Sequence, residues 1–273
     1  MHNFITLLPD IVQNLTQDNK LYEYESANKW LAQVLQHNLQ GGEKKRGLSL
    51  LQSYRILAAP EDVEPNNIRK AQIMGWCVGN ALYCTCFVWI MIAMMGHVLD
   101  RQTRGDHSLD LFTMNRYSAI VQYTASHPSF KLPVMLALNM AGIQDPEIHR
   151  QASTILKEMG QFYQVQKDNH NFESDNPAAE DDIANRKCSW LAVVALQRVT
   201  KAQREILQEN YGSEDPEKIR TVKNLYHELG LPSVFKRYEN HSYELLCTQI
   251  QQISRGIPHR VFLHFLDKWT HRD

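Results

Sequence analysis

Apolar residues recur along this chain at three- and four-residue spacing instead of alternating, a pattern that predicts helices almost throughout. Phe4, Leu8, Ile11, Val12 and Leu15 form one stripe, and Trp30, Leu31, Val34 and Leu35 form a second. Gly41-Gly42 stops that second helix, Leu48 to Leu57 resumes the pattern, and Pro65 suits the first turn of the helix after a loop from Pro60 to Pro65. Further helices are predicted over Leu111 to His127, Leu132 to Ala141, Pro146 to Asn171, Asp182 to Thr200, Ala202 to Tyr211, Pro216 to Leu229 and Pro232 to Ser254, with Pro258 opening the last. Between Phe172 and Asp182 the run ESDNPAAED has no periodicity and reads as a loop. The expected fold class is all-α.

One stretch breaks the amphipathic rule. Ala71 to Val98 holds no Asp, Glu, Lys or Arg, and a run of that length admits two readings, a membrane span or core helices surrounded by others. Gln72, Asn80, Thr85 and His97 interrupt it, Gly75, Gly79 and Gly96 weaken it as one helix, and basic residues flank it on both sides. We therefore expect buried core helices here, with Met91, Met94 and Met95 as core or tunnel wall.

At 273 residues and 43% hydrophobic the chain is long enough to bury a large core, and we expect one domain over residues 1–273. Lys+Arg 29 against Asp+Glu 30 gives a formal net charge of -1, so no overall field draws the protein to nucleic acid or an anionic bilayer. The five cysteines, Cys77, Cys84, Cys86, Cys188 and Cys247, lack paired C-x-x-C spacing, which argues against a zinc site or disulfide framework. The first residues carry no basic and apolar leader pattern, and a cytoplasmic location is expected.

Several segments carry a resemblance. Asn38-Leu39-Gln40-Gly41-Gly42-Glu43-Lys44-Lys45-Arg46-Gly47, Phe162-Tyr163-Gln164-Val165-Gln166, and Asp182-Ile183 followed by Arg186-Lys187-Cys188-Ser189-Trp190-Leu191 stand in that order. With Gly75-Trp76-Cys77-Val78, Gly96-His97-Val98-Leu99-Asp100 and Gln208-Glu209-Asn210-Tyr211-Gly212, they resemble segments of the farnesyl-diphosphate-synthase type of prenyltransferase, most closely the animal members. The resemblance covers nearly the whole chain. It implies a helical bundle of the isoprenoid synthase type, a homodimer, and magnesium held by two aspartate-rich motifs on an allylic diphosphate that isopentenyl diphosphate attacks after ionisation. Magnesium is a hard ion that takes oxygen ligands and offsets charge on the leaving diphosphate, so carboxylates are chemically required.

The chain departs from that pattern at the carboxylates. After Gly75-Trp76-Cys77-Val78 the first aspartate-rich motif is absent and the sequence runs directly into Gly96-His97-Val98-Leu99-Asp100, so the bundle is expected to be shortened in the middle. The second motif reads Lys167-Asp168-Asn169-His170-Asn171, which leaves Asp168 as its metal-ligand candidate. Lysines or a Lys-Thr pair of the pattern read Glu43, Thr124-Ala125 and Ala178. Arg46, Lys187 and Gln164 persist at positions where the resemblance implies diphosphate contacts, although Lys44 to Arg46 can equally be read as a solvated helix start. Two function classes follow. One is a non-catalytic or impaired relative that binds isoprenoid diphosphates weakly, as a homodimer or paired with a complete family member. The other is a terpene-synthase-like enzyme that ionises geranyl or farnesyl diphosphate with substitute carboxylates, for which Asp100, Asp106 and Asp110 are the nearby acids.

Overall fold

The computed structural model describes residues 44–79, 87–173, 182–253 and 256–269, with side chains described for all but 79, 87–94 and 269. The stripes at Phe4 to Leu15 and Trp30 to Leu35, residues 38–43, the Met91 and Met94 side chains, and Ala178 lie outside this description. Among the described residues the elements are α1 (Lys45–Leu57), a short 3-10 turn (Pro60–Asp62), α2 (Pro65–Gly79), α3 (Phe87–Arg104) and α4 (Met114–Val121). A π-helical stretch (Gln122–Lys131) leads without a break into α5 (Leu132–Met140), followed by α6 (Pro146–Glu173), α7 (Trp190–Leu196), α8 (Lys201–Asn210), α9 (Pro216–Glu228), α10 (Leu231–Gln252) and α11 (Arg260–Trp269). The fold is all-α, as the periodicity predicts.

Packing separates these elements into two units. One takes α1, α2 and α5 with the starts of α3 and α6 as far as Ile90 and Arg150, and the other takes the rest. In the first unit α1 packs on both α2 and α5. Leu50, Tyr54, Ala71, Trp76 and Ala137 are buried there, and the Tyr54 hydroxyl donates to the Asp62 carbonyl at 3.0 Å, tying α1 to the 3-10 turn. Burying the side chains of Leu50 and Trp76 contributes on the order of 2–3 kcal/mol each.

In the second unit, helix ends follow local chemistry. Thr200 and Gln203 form a reciprocal capping box at α8. Asp215 caps α9 ahead of Pro216, and Gly230, at φ 66°, precedes α10. The core of this unit runs through Tyr117, Val165, Trp190, Val193, Val222 and Leu231.

Two elements differ from the periodicity. A break was expected between His127 and Leu132, yet the chain stays helical through Pro128. A proline inside a helix lacks the N–H for its bond and crowds the carbonyl four residues back, and the wider π register accommodates both faults. The helix expected over Asp182 to Thr200 is split. Only residues 182–184 and α7 are helical, because Arg186 takes a left-handed φ of 53° and Ser189 caps α7 by accepting from Ala192 N at 3.2 Å.

Within the apolar stretch from Ala71 to Val98, the described side chains are less uniformly covered than expected. Ala71, Gln72, Gly75 and Trp76 are buried, but Ile73, Cys77, Met95 and Val98 are exposed, the last two by about half. A helix whose two faces differ in this way buries one stripe only, and the exposed positions lie off it. No helix among the described residues is long and apolar enough to cross a membrane.

Candidate functional site

The site is built around Asp168 on α6. Gln164 stands four residues earlier, so the two share a helix face, and the Gln164 amide donates to Asp168 Oδ1 at 2.8 Å. From α4 the Tyr117 hydroxyl donates to Asp168 Oδ2 at 3.1 Å. The split after Asp182 supplies the rest. With the chain turned at Arg186, the Trp190 backbone N–H at the start of α7 donates to Asp168 Oδ2 at 3.0 Å, and the Lys187 ammonium reaches Oδ1 at 3.1 Å.

The turn itself is held from several directions. The buried Arg186 guanidinium donates to the backbone carbonyls of His107 at 2.8 Å, Asp106 at 3.1 Å and Tyr211. The Tyr211 hydroxyl donates to the Lys187 carbonyl at 2.6 Å. Gly212, at φ +94°, passes so close to Arg186 that a Cβ there would lie 3.1 Å from its side chain. These bonds satisfy the buried guanidinium with backbone carbonyls, and in doing so fix where Lys187 and Trp190 point.

Lys187 has a second partner. Its ammonium lies 3.0 Å from each carboxylate oxygen of Asp182, whose Oδ2 also accepts from the Asn171 amide at 3.3 Å. Burial alone would lower the Lys187 pKa, but the charges of Asp168 and Asp182 outweigh it and hold the ammonium above its ordinary value. Burial, followed by the Asp168 charge, pushes the Tyr117 phenol far up, so it stays a proton donor.

This arrangement decides what Asp168 can do. A carboxylate offers about four lone-pair sites, and four donors already address Asp168, whose side chain has no exposed surface. Its oxygens do not fit a magnesium ion, which needs open lone pairs at short range. Lys167 beside it is exposed. Asp100 pairs with Arg104 at 2.8 Å, and Asp110 with Arg204 at 2.7 Å. Asp106 accepts from the backbone of Ser108 and Leu111 and from the Ser108 hydroxyl. The three acids are thus engaged with separate partners. Arg46 is half-buried in the first turn of α1, in the other unit from Lys187, Gln164 and Asp168, and beside it the Lys44 ammonium sits 5.3 Å above the Trp76 ring.

Sequence reasoning missed Tyr117, Asp182 and the Trp190 N–H as parts of this cluster. Asp182 lay within a quoted motif without an assigned role, and five-residue spacing to Lys187 across a helix break carries no signature. The Tyr117 contact spans 51 residues and a backbone donor has no side-chain signal at all.

Cys188 adjoins the cluster. Burial first, and then the charges of Asp100 and Asp168, push its thiol up to about 12, whereas Cys77 is exposed. Thiolate is the reactive form, so native-state alkylation at pH 8 should modify Cys77 and leave Cys188 at least ~100-fold slower. Peptide mapping that finds both modified at similar rates would contradict the burial described here.

The Polyprenyl synthetase family profile matches residues 85–229 of this chain. The farnesyl pyrophosphate synthase of Nezara viridula is 36% identical, over 97% of this chain and 81% of its own length. That of Rattus norvegicus is 32% identical, over 97% of this chain and 94% of its own length. The alignment to the Nezara protein runs over 328 positions, more than the 273 residues of the whole chain, so part of that relative has no counterpart here. In fold, the chain is similar to the solved T. brucei farnesyl diphosphate synthase complexed with risedronate, with a TM-score of 0.84 at 19% identity, covering 100% of this chain and 99% of that one. With that profile matched over more than half the chain and relatives above 30% identity along nearly all of it, this chain belongs to the polyprenyl synthetase family.

Proposed function

We propose that this chain is a catalytically impaired or non-catalytic relative of the farnesyl-diphosphate-synthase type of prenyltransferase, retaining weak affinity for isoprenoid diphosphates. The observation that carries the reading is the saturation of Asp168 by Gln164, Tyr117, Lys187 and the Trp190 N–H. Ionising an allylic diphosphate needs charge neutralisation of the departing anion, commonly the largest single contribution to such a rate. The resemblance assigns that task to magnesium on two aspartate-rich motifs. In this chain we place the missing first motif in the length that separates it from its relatives, and the second keeps one carboxylate, already filled.

Of the diphosphate contacts that the resemblance implies, we assign Arg46 to residual binding. Lys187 and Gln164 we assign to Asp168. A guanidinium can grip phosphate with two parallel bonds, and charge-assisted hydrogen bonds of roughly 1.5–3 kcal/mol each would support only micromolar to millimolar affinity. The substitute-carboxylate enzyme is disfavoured, since Asp100, Asp106 and Asp110 are each committed elsewhere. We also propose that the chain pairs, with itself or with a complete family member, as the resemblance implies. Exposed Met95 and Val98 on α3 supply apolar surface for such a contact.

Calorimetric titration with geranyl diphosphate tests the binding half of this reading. Expected is a dissociation constant of ~100 μM or weaker that shifts less than about threefold on adding magnesium and rises in Arg46→Ala. Submicromolar binding that requires magnesium would overturn it.

A further inference from the structure

We propose that Lys131 and Lys157 form an anion site for a doubly charged phosphate group, either free phosphate or the terminal phosphate of a small organic molecule. The site draws on neither Arg46 nor Asp168, and it does not rest on the function proposed above. It lies in the second unit, where α6 crosses the π-helical stretch. In a π register the backbone bond spans five residues, so positions four and five apart share a face. Gln122, His127 and Lys131 have that spacing, and the Gln122 amide nitrogen lies 3.3 Å from His127 Nε2. The Tyr123 ring stacks on His127 with centroids 5.9 Å apart.

Lys157 comes to this face from α6. The Ser126 hydroxyl donates to its carbonyl at 3.1 Å, and Gly160, three residues on, lets α6 approach Ser126 closely. Backbone contacts thus bring the two lysines together. His127 and Lys131 are half-buried and Lys157 is exposed, so the face is reachable from solvent.

The positive charge here has no counterweight. No acid stands three or four residues from either lysine, the distance at which a helix supplies a partner. Among the described residues neither lysine has a carboxylate partner from another element, whereas Lys236 pairs with Glu239 at 2.9 Å. Burial, followed by the charge of Lys157, lowers the Lys131 pKa, and burial, followed by the charges of Lys131 and Lys157, lowers that of His127. Lysines kept for solubility stand apart in solvent, but here one is half-buried within reach of the other's charge. A single negative charge would leave one ammonium uncompensated. A phosphate dianion offsets both and supplies acceptors for their N–H donors, while the neutral His127 ring adds no third charge.

The experiment uses full-length protein carrying Arg46→Ala, so that the diphosphate contact assigned above is silent, and titrates inorganic phosphate by calorimetry at pH 7.5 and fixed ionic strength. One saturable site is expected, weakened at least about fivefold by Lys131→Met and by Lys157→Gln. Competition by glycerol 3-phosphate would assign the site to phosphate ends of organic molecules, and its failure to compete would assign the site to the free anion. Lys131→Met keeps the buried stem. If it does not fold, acetylation of the unmodified protein decides. Phosphate should slow the modification of Lys131 and Lys157 at least about fivefold and leave exposed Lys201 unchanged. The absence of saturable phosphate binding, equal binding in all three proteins, or protection that sodium chloride of the same ionic strength reproduces would overturn the proposal. No isoprenoid enters these measurements, so their failure leaves the diphosphate titration to judge the proposed function separately.

Discussion

Asp168→Ala is expected to cost about 3–5 kcal/mol of folding stability, read as a drop in the denaturation midpoint at unchanged slope. The change removes the acceptor of four donors at once. The Lys187 ammonium keeps Asp182, but Tyr117, Gln164 and the Trp190 N–H lose theirs. A buried donor left unsatisfied costs more than its bond contributed. Asp168→Asn keeps the volume but brings an amide N–H₂ toward other donors, and should lose about half as much. The pH dependence follows from Lys187. Its folded pKa is raised above the ordinary value of 10.5, so its contribution is complete below that value and disappears as pH rises through the folded one. The gap between the native protein and Asp168→Ala should therefore be level through neutral pH and narrow only in strong alkali. A loss under about 1 kcal/mol at pH 7 would mean that the cluster does not hold the fold.

The second large effect is expected at Gly160, where α6 crosses the π-helical stretch. A Cβ there would fall 2.5 Å from Ser126 Cα and 2.7 Å from its Cβ, and would meet its hydroxyl as well. The clash is with backbone, which cannot swing aside. That hydroxyl donates to the Lys157 carbonyl at 3.1 Å, so any shift also strains this link. In a free helix Gly→Ala would gain about 1 kcal/mol. Here Gly160→Ala should instead lose about 3 kcal/mol, the upper end of the overpacking range. A variant that melts at or above the native protein would show that the two segments are not in close contact.

Periodicity and punctuation made most of the helical fold legible. Pro65 and Pro216 mark helix starts in the sequence and in the structure, and the helix expected from Pro232 begins one residue earlier, at Leu231. What escaped were places where tertiary packing overrides a local rule. Pro128 reads as a breaker, but the wider register around it keeps the helix going. Lys187 to Ser189 reads as mid-helix, but Arg186 finds its partners among distant backbone carbonyls and turns the chain there. The site was half legible in the same sense. The resemblance pointed to Arg46, Lys187, Gln164 and Asp168. Only the folded structure shows that Gln164 and Lys187 both bond to Asp168 and that Asp182 joins them through Lys187. Side-chain identity tells which groups are charged, while which lone pairs remain open depends on contacts across 19 to 51 residues of sequence.

On the function proposed above, Asp168 is committed to the fold and the chain lacks the charge neutralisation that prenyl transfer requires. The most direct measurement is a product assay with geranyl and isopentenyl diphosphates at saturating magnesium, calibrated against a complete family member. The account predicts product at background, with no dependence on magnesium, and robust magnesium-dependent formation of farnesyl diphosphate would contradict it.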